Sequence, residues 1–174
     1  MVNTQRKRVC ISILNWNNAP ETVECIQSLG TPSDMDVEVI VLDNGGVDNA
    51  TVWGDILTEV AHNRRIAGTV IDGVNRDVSL CLELGYPVFS RDNYMRTGKD
   101  RVQVEATQVP VNIGGARVAP GDIVRGDADG VVVIPKEHED HVLDTAEAIH
   151  NAEEAIRQAV RAGTPLREAR KAMG

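Results

Sequence analysis

The sequence predicts an α/β domain: a mixed sheet or barrel flanked by helices, with a further helix at the C-terminal end. Three observations carry this. The apolar run Val37 to Leu42, a helix-like segment and a second apolar run from Ile66 to Ile71 form a β-turn-α-β unit. From residue 101 to 134 the pattern changes to short alternating segments broken by turns, the mark of a compact β-barrel or sandwich. From Lys136 onward, Val142, Ala146, Ile149, Ala152, Ile156 and Val160 recur with a helical period, ending at Gly163.

Residues 8–14 (Arg-Val-Cys-Ile-Ser-Ile-Leu) read as a strand, and Pro20 and Glu21 start a short helix with Val23, Ile26 and Leu29 on its apolar face. Gly30, Thr31, Pro32 and Ser33 then break the chain. This divides an N-terminal β-α segment, residues 1–35, from the main domain, residues 36–174. A strand ends at Leu42, and Asp43-Asn44-Gly45-Gly46 permits a tight turn. A helix is expected from about Val52 to Arg65, closed by the basic pair Arg64 and Arg65. The strand from Ile66 to Ile71 ends in Asp72-Gly73, read as a loop that aims Arg76. Val78 to Leu84 is a short apolar segment stopped by Gly85, Tyr86 to Phe89 is a short or edge strand, and 91–100 is a polar loop. Gly114-Gly115, Pro120-Gly121-Asp122 and Asp127-Ala128-Asp129-Gly130 are turns between the short strands that follow.

The totals narrow the function classes. The chain has 174 residues, enough for one domain with a sizeable core, and 42% of them are apolar. A net charge of -8 and an aromatic content of 3% argue against a nucleic-acid footprint or stacking on bases. No apolar run is long enough to span a membrane, and the segment after Arg6, Lys7 and Arg8 lacks the form of a signal peptide. Cys10, Cys25 and Cys81 are scattered and odd in number, which reads as free thiols in a reducing cytoplasm. Of the four histidines, His138 and His141 have i, i+3 spacing but no evident third ligand and read as exposed side chains, and Asp127 and Asp129 read as turn formers.

The β-turn-α-β unit brings two loops to one edge of a sheet. One offers free N–H groups at a helix N-terminus, suited to an anion. The other offers Arg76 beside Asp77, a cation next to a carboxylate. Carboxylates without a His or Cys cluster suit a hard, oxygen-liganded metal. No lysine lies among them, which disfavours a Schiff base.

From about residue 37 to 162 the chain resembles the RraA-like family, in particular its class II aldolases acting on 4-hydroxy-4-methyl-2-oxoglutarate and 4-carboxy-4-hydroxy-2-oxoadipate. The matching residues are Trp53-Gly54-Asp55, then Ile71-Asp72-Gly73 with Arg76-Asp77, and Gly85-Tyr86-Pro87-Val88-Phe89. Val109-Pro110-Val111, Gly114-Gly115, Val118 to Asp122 and Asp127 with Asp129 to Val132 follow in order. Twenty-one residues separate Gly54 from Arg76, close to the gap in the aldolase signature. The resemblance implies a swivelling β/β/α domain, trimeric or hexameric. It implies that backbone N–H groups from Gly54 through Asp55 and Ile56 to Leu57 hold a pyruvyl carboxylate. Arg76 would stabilise the enolate, Asp77 would ligate Mg²⁺ or Mn²⁺, and Asp55 would orient a metal-bound water. An acidic residue from the C-terminal helix of a neighbouring subunit would join the metal site, with Glu153 the better match and Glu154 the other.

The implied reaction is a retro-aldol cleavage of a small 4-hydroxy-2-oxo acid to pyruvate, with oxaloacetate decarboxylation by the same enolate. The same family contains a non-catalytic regulator of ribonuclease activity, which is the rival reading. Residues 9–49 also resemble the opening of GT-A glycosyltransferases, in Val9 to Asn18, Glu21 to Leu29 and Asp43 to Gly46. On that resemblance the chain looks chimeric, with closure of its sheet depending on whether residues 9–14 pack into it.

Overall fold

The computed structural model describes residues 7–14 and 37–173, with side chains from Glu38 to Ala172. It divides into two compact units, Met1–Pro135 and Lys136–Gly174.

In the first unit, six strands form one mixed sheet: β1 (Lys7–Leu14), β2 (Val37–Asp43), β3 (Thr51–Trp53), β4 (Gly68–Asn75), β5 (Val88–Asn93) and β6 (Val104–Thr107). Their order is β3-β4-β2-β1-β6, with β5 also pairing β4. All pairs are parallel except β1 with β6. The sheet stays open; among the described residues no barrel closes. The strand expected at residues 8–14 lies between β2 and β6, with Val9 opposite Val39 and Ser12 opposite both Leu42 and Thr107. The short helix expected after Pro20 lies outside the described residues.

Strand alternation sends neighbouring residues to opposite faces. Ile40, Leu42 and Ile71 face one side, where they pack with Trp53, Ala61, Ile66 and Tyr86 and with Leu57, Val60 and Leu84. That side carries α1 (Asp55–Asn63) and α2 (Val78–Leu84). Val39, Val41 and Val70 face the other side and meet Val111, Val118 and Val124. Those come from two hairpins, β7 (Val111–Ile113) with β8 (Ala116–Val118), and β9 (Ile123–Asp127) with β10 (Gly130–Ile134). Burying each such aliphatic side chain stabilises the fold by roughly 1.5–3 kcal/mol. The result is a three-layer β/β/α arrangement. The short strands after residue 101 therefore make no separate barrel or sandwich. β6 joins the main sheet and the hairpins cover one of its faces.

Two expected boundaries shift. The helix expected from Val52 begins at Asp55, because Thr51 to Trp53 pair with β4 and are buried as a strand. The strand expected to end at Ile71 runs on to Asn75, and Asp72-Gly73 lies inside it, fully buried. Asp72 is tolerated there because its carboxylate accepts hydrogen bonds from Arg91 and from the Gly114 N–H, the latter at 3.1 Å. Gly73 leaves room for Asn44, which a Cβ would meet at 3.0 Å.

The second unit comprises a 3₁₀ turn at Lys136–His138, α3 (Glu139–Arg161) and α4 (Leu166–Met173). Helical structure thus resumes after Gly163, whose φ of +94° makes the turn between them. No described helix is long and apolar enough to cross a membrane.

Candidate functional site

The site follows from strand register. β3 and β4 run parallel with Trp53 opposite Asn75, so the residues that follow each strand emerge at the same sheet edge. After Trp53 comes Gly54 and the start of α1; after Asn75 come Arg76, Asp77 and α2. The Arg76 N–H donates to the Trp53 carbonyl at 3.1 Å, fastening the two exits together.

Gly54 is the N-cap of α1, in extended backbone (φ -161°), and having no side chain it makes no capping bond of its own. The first intrahelical bond runs from the Thr58 N–H to the Gly54 carbonyl at 3.0 Å. The N–H groups of Asp55, Ile56 and Leu57 are therefore free of helical partners. Asp77 Oδ2 accepts from the Asp55 N–H at 3.3 Å, and Asp55 Oδ1 accepts from the Ile56 N–H at 2.8 Å. Among the described residues, the Leu57 N–H has no protein partner. Two carboxylates thus sit on the N–H groups that suit an anionic ligand.

Asp77 has left-handed backbone (φ 59°, ψ 39°) at the N-cap of α2 but does not cap it. Such a conformation costs on the order of 1–3 kcal/mol outside glycine. Its carboxylate turns toward α1 and lies 3.4 Å from Arg76 Nη1. The Arg76 and Asp77 side chains are 37% and 35% exposed, so the ion pair is reachable from solvent and contributes little to stability. Both line a cleft of about 280 Å³ whose other walls are Val78, Asn93, Tyr94 and Met95.

Gly54, Asp55, Ile56, Leu57, Arg76 and Asp77, the residues that the family resemblance singled out, thus lie together. Glu153 lies in α3 of the second unit, where it pairs with Arg157 at 2.7 Å. Glu154 pairs with Arg157 at 3.3 Å and Arg161 at 3.5 Å, and the Arg157 hydrogen bond holds its carboxyl below the ordinary value. His62, His138, His141 and His150 are exposed. The Asp127 carboxylate accepts the Asp129 N–H at 3.0 Å, as a turn former does. Sequence reasoning missed Asn93, Tyr94 and Met95, which were read as polar loop. It also missed Thr58, whose side chain is buried beneath Gly54.

The donor set bears on a metal. Among the described residues, no three His, Cys, Asp or Glu side chains converge. That disfavours a closed, all-protein cage of the zinc type. Mg²⁺ commonly uses one or two carboxylates and keeps several waters. Asp77 offers one such carboxylate, beside the first turn of α1.

Comparison with known proteins bears on the family and the fold. Residues 21–133 match the family model described as RraA-like: Aldolase/RraA, which reaches back into the stretch that resembled a glycosyltransferase and leaves the chimera reading without support. The chain is 43% identical over 133 residues to Protein DlpA of Legionella pneumophila, covering 76% of this chain and 22% of that one. It is 37% identical over 123 residues to a protein of Halalkalibacterium halodurans named "Putative 4-hydroxy-4-methyl-2-oxoglutarate aldolase", covering 71% of this chain and 58% of that one. The chain therefore spans less than two thirds of the length of either relative. A solved structure of Streptomyces coelicolor RraAS2, described as an unusual member of the RNase ES inhibitor RraA protein family, superposes with a TM-score of 0.76 at 25% identity. It covers 87% of this chain and 76% of that one. With its three-layer fold, its Gly54 turn against Arg76-Asp77 and this family match, the chain belongs to the RraA-like family.

Proposed function

We propose that this chain is a divalent-metal-dependent aldolase that cleaves a 4-hydroxy-2-oxo acid, such as 4-hydroxy-4-methyl-2-oxoglutarate, to pyruvate. The observation that carries the reading is the contact of the Gly54 turn with Arg76 and Asp77. It sets a guanidinium and a carboxylate on an accessible cleft, beside the N-terminal N–H groups of α1. The similarity to a relative named as an aldolase supports it.

In this reading the substrate's C1 carboxylate binds at the N–H groups of Ile56 and Leu57, displacing the Asp55 carboxylate from Ile56. Arg76 donates to the C2 oxygen. As the C3–C4 bond breaks, its electron pair moves toward C2 and negative charge grows on that oxygen, where the guanidinium stabilises it. The proton of the C4 hydroxyl leaves through a water oriented by the freed Asp55, and C3 is then protonated to give pyruvate. A divalent ion held by Asp77, with Glu153 of a neighbouring copy completing the set, would supply Lewis-acid stabilisation of the same charge. Oxaloacetate decarboxylation uses the same residues. A trimer or hexamer, and a boundary near residue 35 between an N-terminal segment and the catalytic domain, belong to this proposal.

The test is pyruvate release, coupled to lactate dehydrogenase, with Mg²⁺ and with EDTA. Arg76→Ala should lower kcat about 10²–10³-fold, the effect of removing one oxyanion donor. Asp77→Ala should abolish the metal dependence. The likeness to the RNase ES inhibitor family favours a second reading, a non-catalytic regulator that binds a ribonuclease. A regulator acting by contact would release no pyruvate and would keep its inhibition in Asp77→Ala.

A further inference from the structure

We infer that Thr58 is a positioning residue that holds the anion-binding turn against the Arg76-Asp77 pair; the inference rests on the aldolase reading. The Thr58 side chain has no solvent exposure. Its hydroxyl donates to the Gly54 carbonyl at 2.9 Å and accepts from the Trp53 indole N–H, also at 2.9 Å. Cys81 Sγ lies 3.4 Å from the same oxygen. A hydroxyl has one hydrogen and two lone pairs. With its hydrogen committed to Gly54, the thiol must be the donor, and the oxygen is saturated by three partners.

Those partners belong to the three pieces that build the site. Trp53 ends β3, Gly54 starts the carboxylate-binding turn, and Cys81 is on α2, one helical turn beyond Asp77. Gly54 itself abuts the pair, since a Cβ there would lie 2.9 Å from Asp77 Oδ2 and 3.3 Å from Arg76 Nε. Trp53 is held on its far side by stacking on Tyr86, with ring centroids 6.4 Å apart and planes within 5°. The hydroxyl therefore touches both the turn and the helix behind Asp77. It makes no contact with the cleft, so its effect on a ligand must pass through Gly54.

The experiment compares Thr58→Val, which keeps the shape and removes the hydroxyl, with Thr58→Ser, which keeps it. Oxalate, a planar mimic of the pyruvate enolate, is titrated into the full chain with Mg²⁺, and amide hydrogen exchange is followed across residues 55–57. For Thr58→Val we expect oxalate binding and KM each weakened about tenfold, the worth of one hydrogen bond. Fold-loss in kcat should be smaller, and exchange across residues 55–57 about tenfold faster. Thr58→Ser should restore all of them to within about twofold. Unchanged exchange and affinity in folded Thr58→Val would overturn the inference, as would a Thr58→Ser chain as impaired as Thr58→Val. Should Thr58→Val not fold, Thr58→Ala removes the same hydroxyl, and with it the bond to Gly54, in a smaller side chain. A severalfold weakening of oxalate then supports the inference, and wild-type affinity overturns it. A wild-type chain that binds no oxalate would sink the aldolase reading, while the exchange data would still decide whether Thr58 holds the turn.

Discussion

Gly54 is required for its size and not for its torsions. Its φ of -161° is open to any residue, yet a methyl group would press on Asp77 Oδ2 at 2.9 Å. Both neighbours are flexible side chain ends, so the chain should accommodate Gly54→Ala at a stability cost within about 1–2 kcal/mol. The cleft would not accommodate it, because Arg76 and Asp77 must move to make room. Pyruvate release should fall on the order of 10²-fold, as expected for an ångström of misplacement, while the thermal midpoint moves little. Asp55 makes the opposite prediction. Its carboxylate covers the Ile56 N–H, so Asp55→Ala should bind oxalate as tightly as the wild type or more tightly while kcat falls. Weaker oxalate binding in this variant would show that Asp55 is not a placeholder. At this scale the pairing of Gly54 with Arg76-Asp77 was legible through the family resemblance, and spacing alone gave only two loops at one sheet edge. Thr58 was not, because a lone threonine in a helix pattern carries no sign that three buried donors and acceptors converge on it.

Among the elements, β4 is the one on which the others hang. All eight of its residues are buried, and it pairs with β2, β3 and β5. The sequence showed its apolar half, Ile66 to Ile71, and hid the rest. Asp-Gly is ordinarily a turn signal, and here it is overridden because tertiary partners satisfy Asp72. The same partners make a pH prediction. Burial by itself would raise the Asp72 carboxyl, but the Arg91 hydrogen bond, the Gly114 N–H and the Arg91 charge together hold it below its ordinary value. A group depressed on folding stabilises the chain above its unfolded pKa, about 3.9 for aspartate. That contribution is lost as pH falls through the lower folded value. Denaturant midpoints from pH 5 downward should therefore drop more steeply in the wild type than in Asp72→Asn. Equal slopes would mean that the pair does not carry the acid sensitivity. The helix expected from Val52 starts three residues later, at Asp55, for a related reason. Val52 and Trp53 fit a helical period, but they are also β-branched and aromatic, and pairing beside β4 buries them better.

For the whole molecule, the layered α/β class was legible because each face of the central sheet leaves its own alternation: Ile40 and Leu42 for the helices, Val39 and Val41 for the hairpins. That the later strands join or cover the main sheet, and form no separate barrel or sandwich, was not recoverable from period alone, since a hairpin covering a sheet and a hairpin in a barrel alternate alike. Assembly is the other property of this scale. If Glu153 serves the cleft of a neighbouring copy, Arg76→Ala and Glu153→Gln chains should each be inactive alone and recover activity when mixed and allowed to exchange subunits. Mixtures that stay inactive, with exchange verified by mass, would remove Glu153 from the site.

Ser12 of β1 lies opposite both Leu42 and Thr107. During synthesis, β1 must wait for β6, which follows it by about 90 residues. Until then one of its edges is open to any other strand, including those of nascent chains nearby. Parallel pairings between distant segments put folding on the slow side, on the order of milliseconds to seconds. Stopped-flow refolding should show that regime, and Ser12→Pro, which breaks the pairing of β1, should slow it further. A microsecond phase accounting for the full amplitude would show that the sheet does not wait for β1.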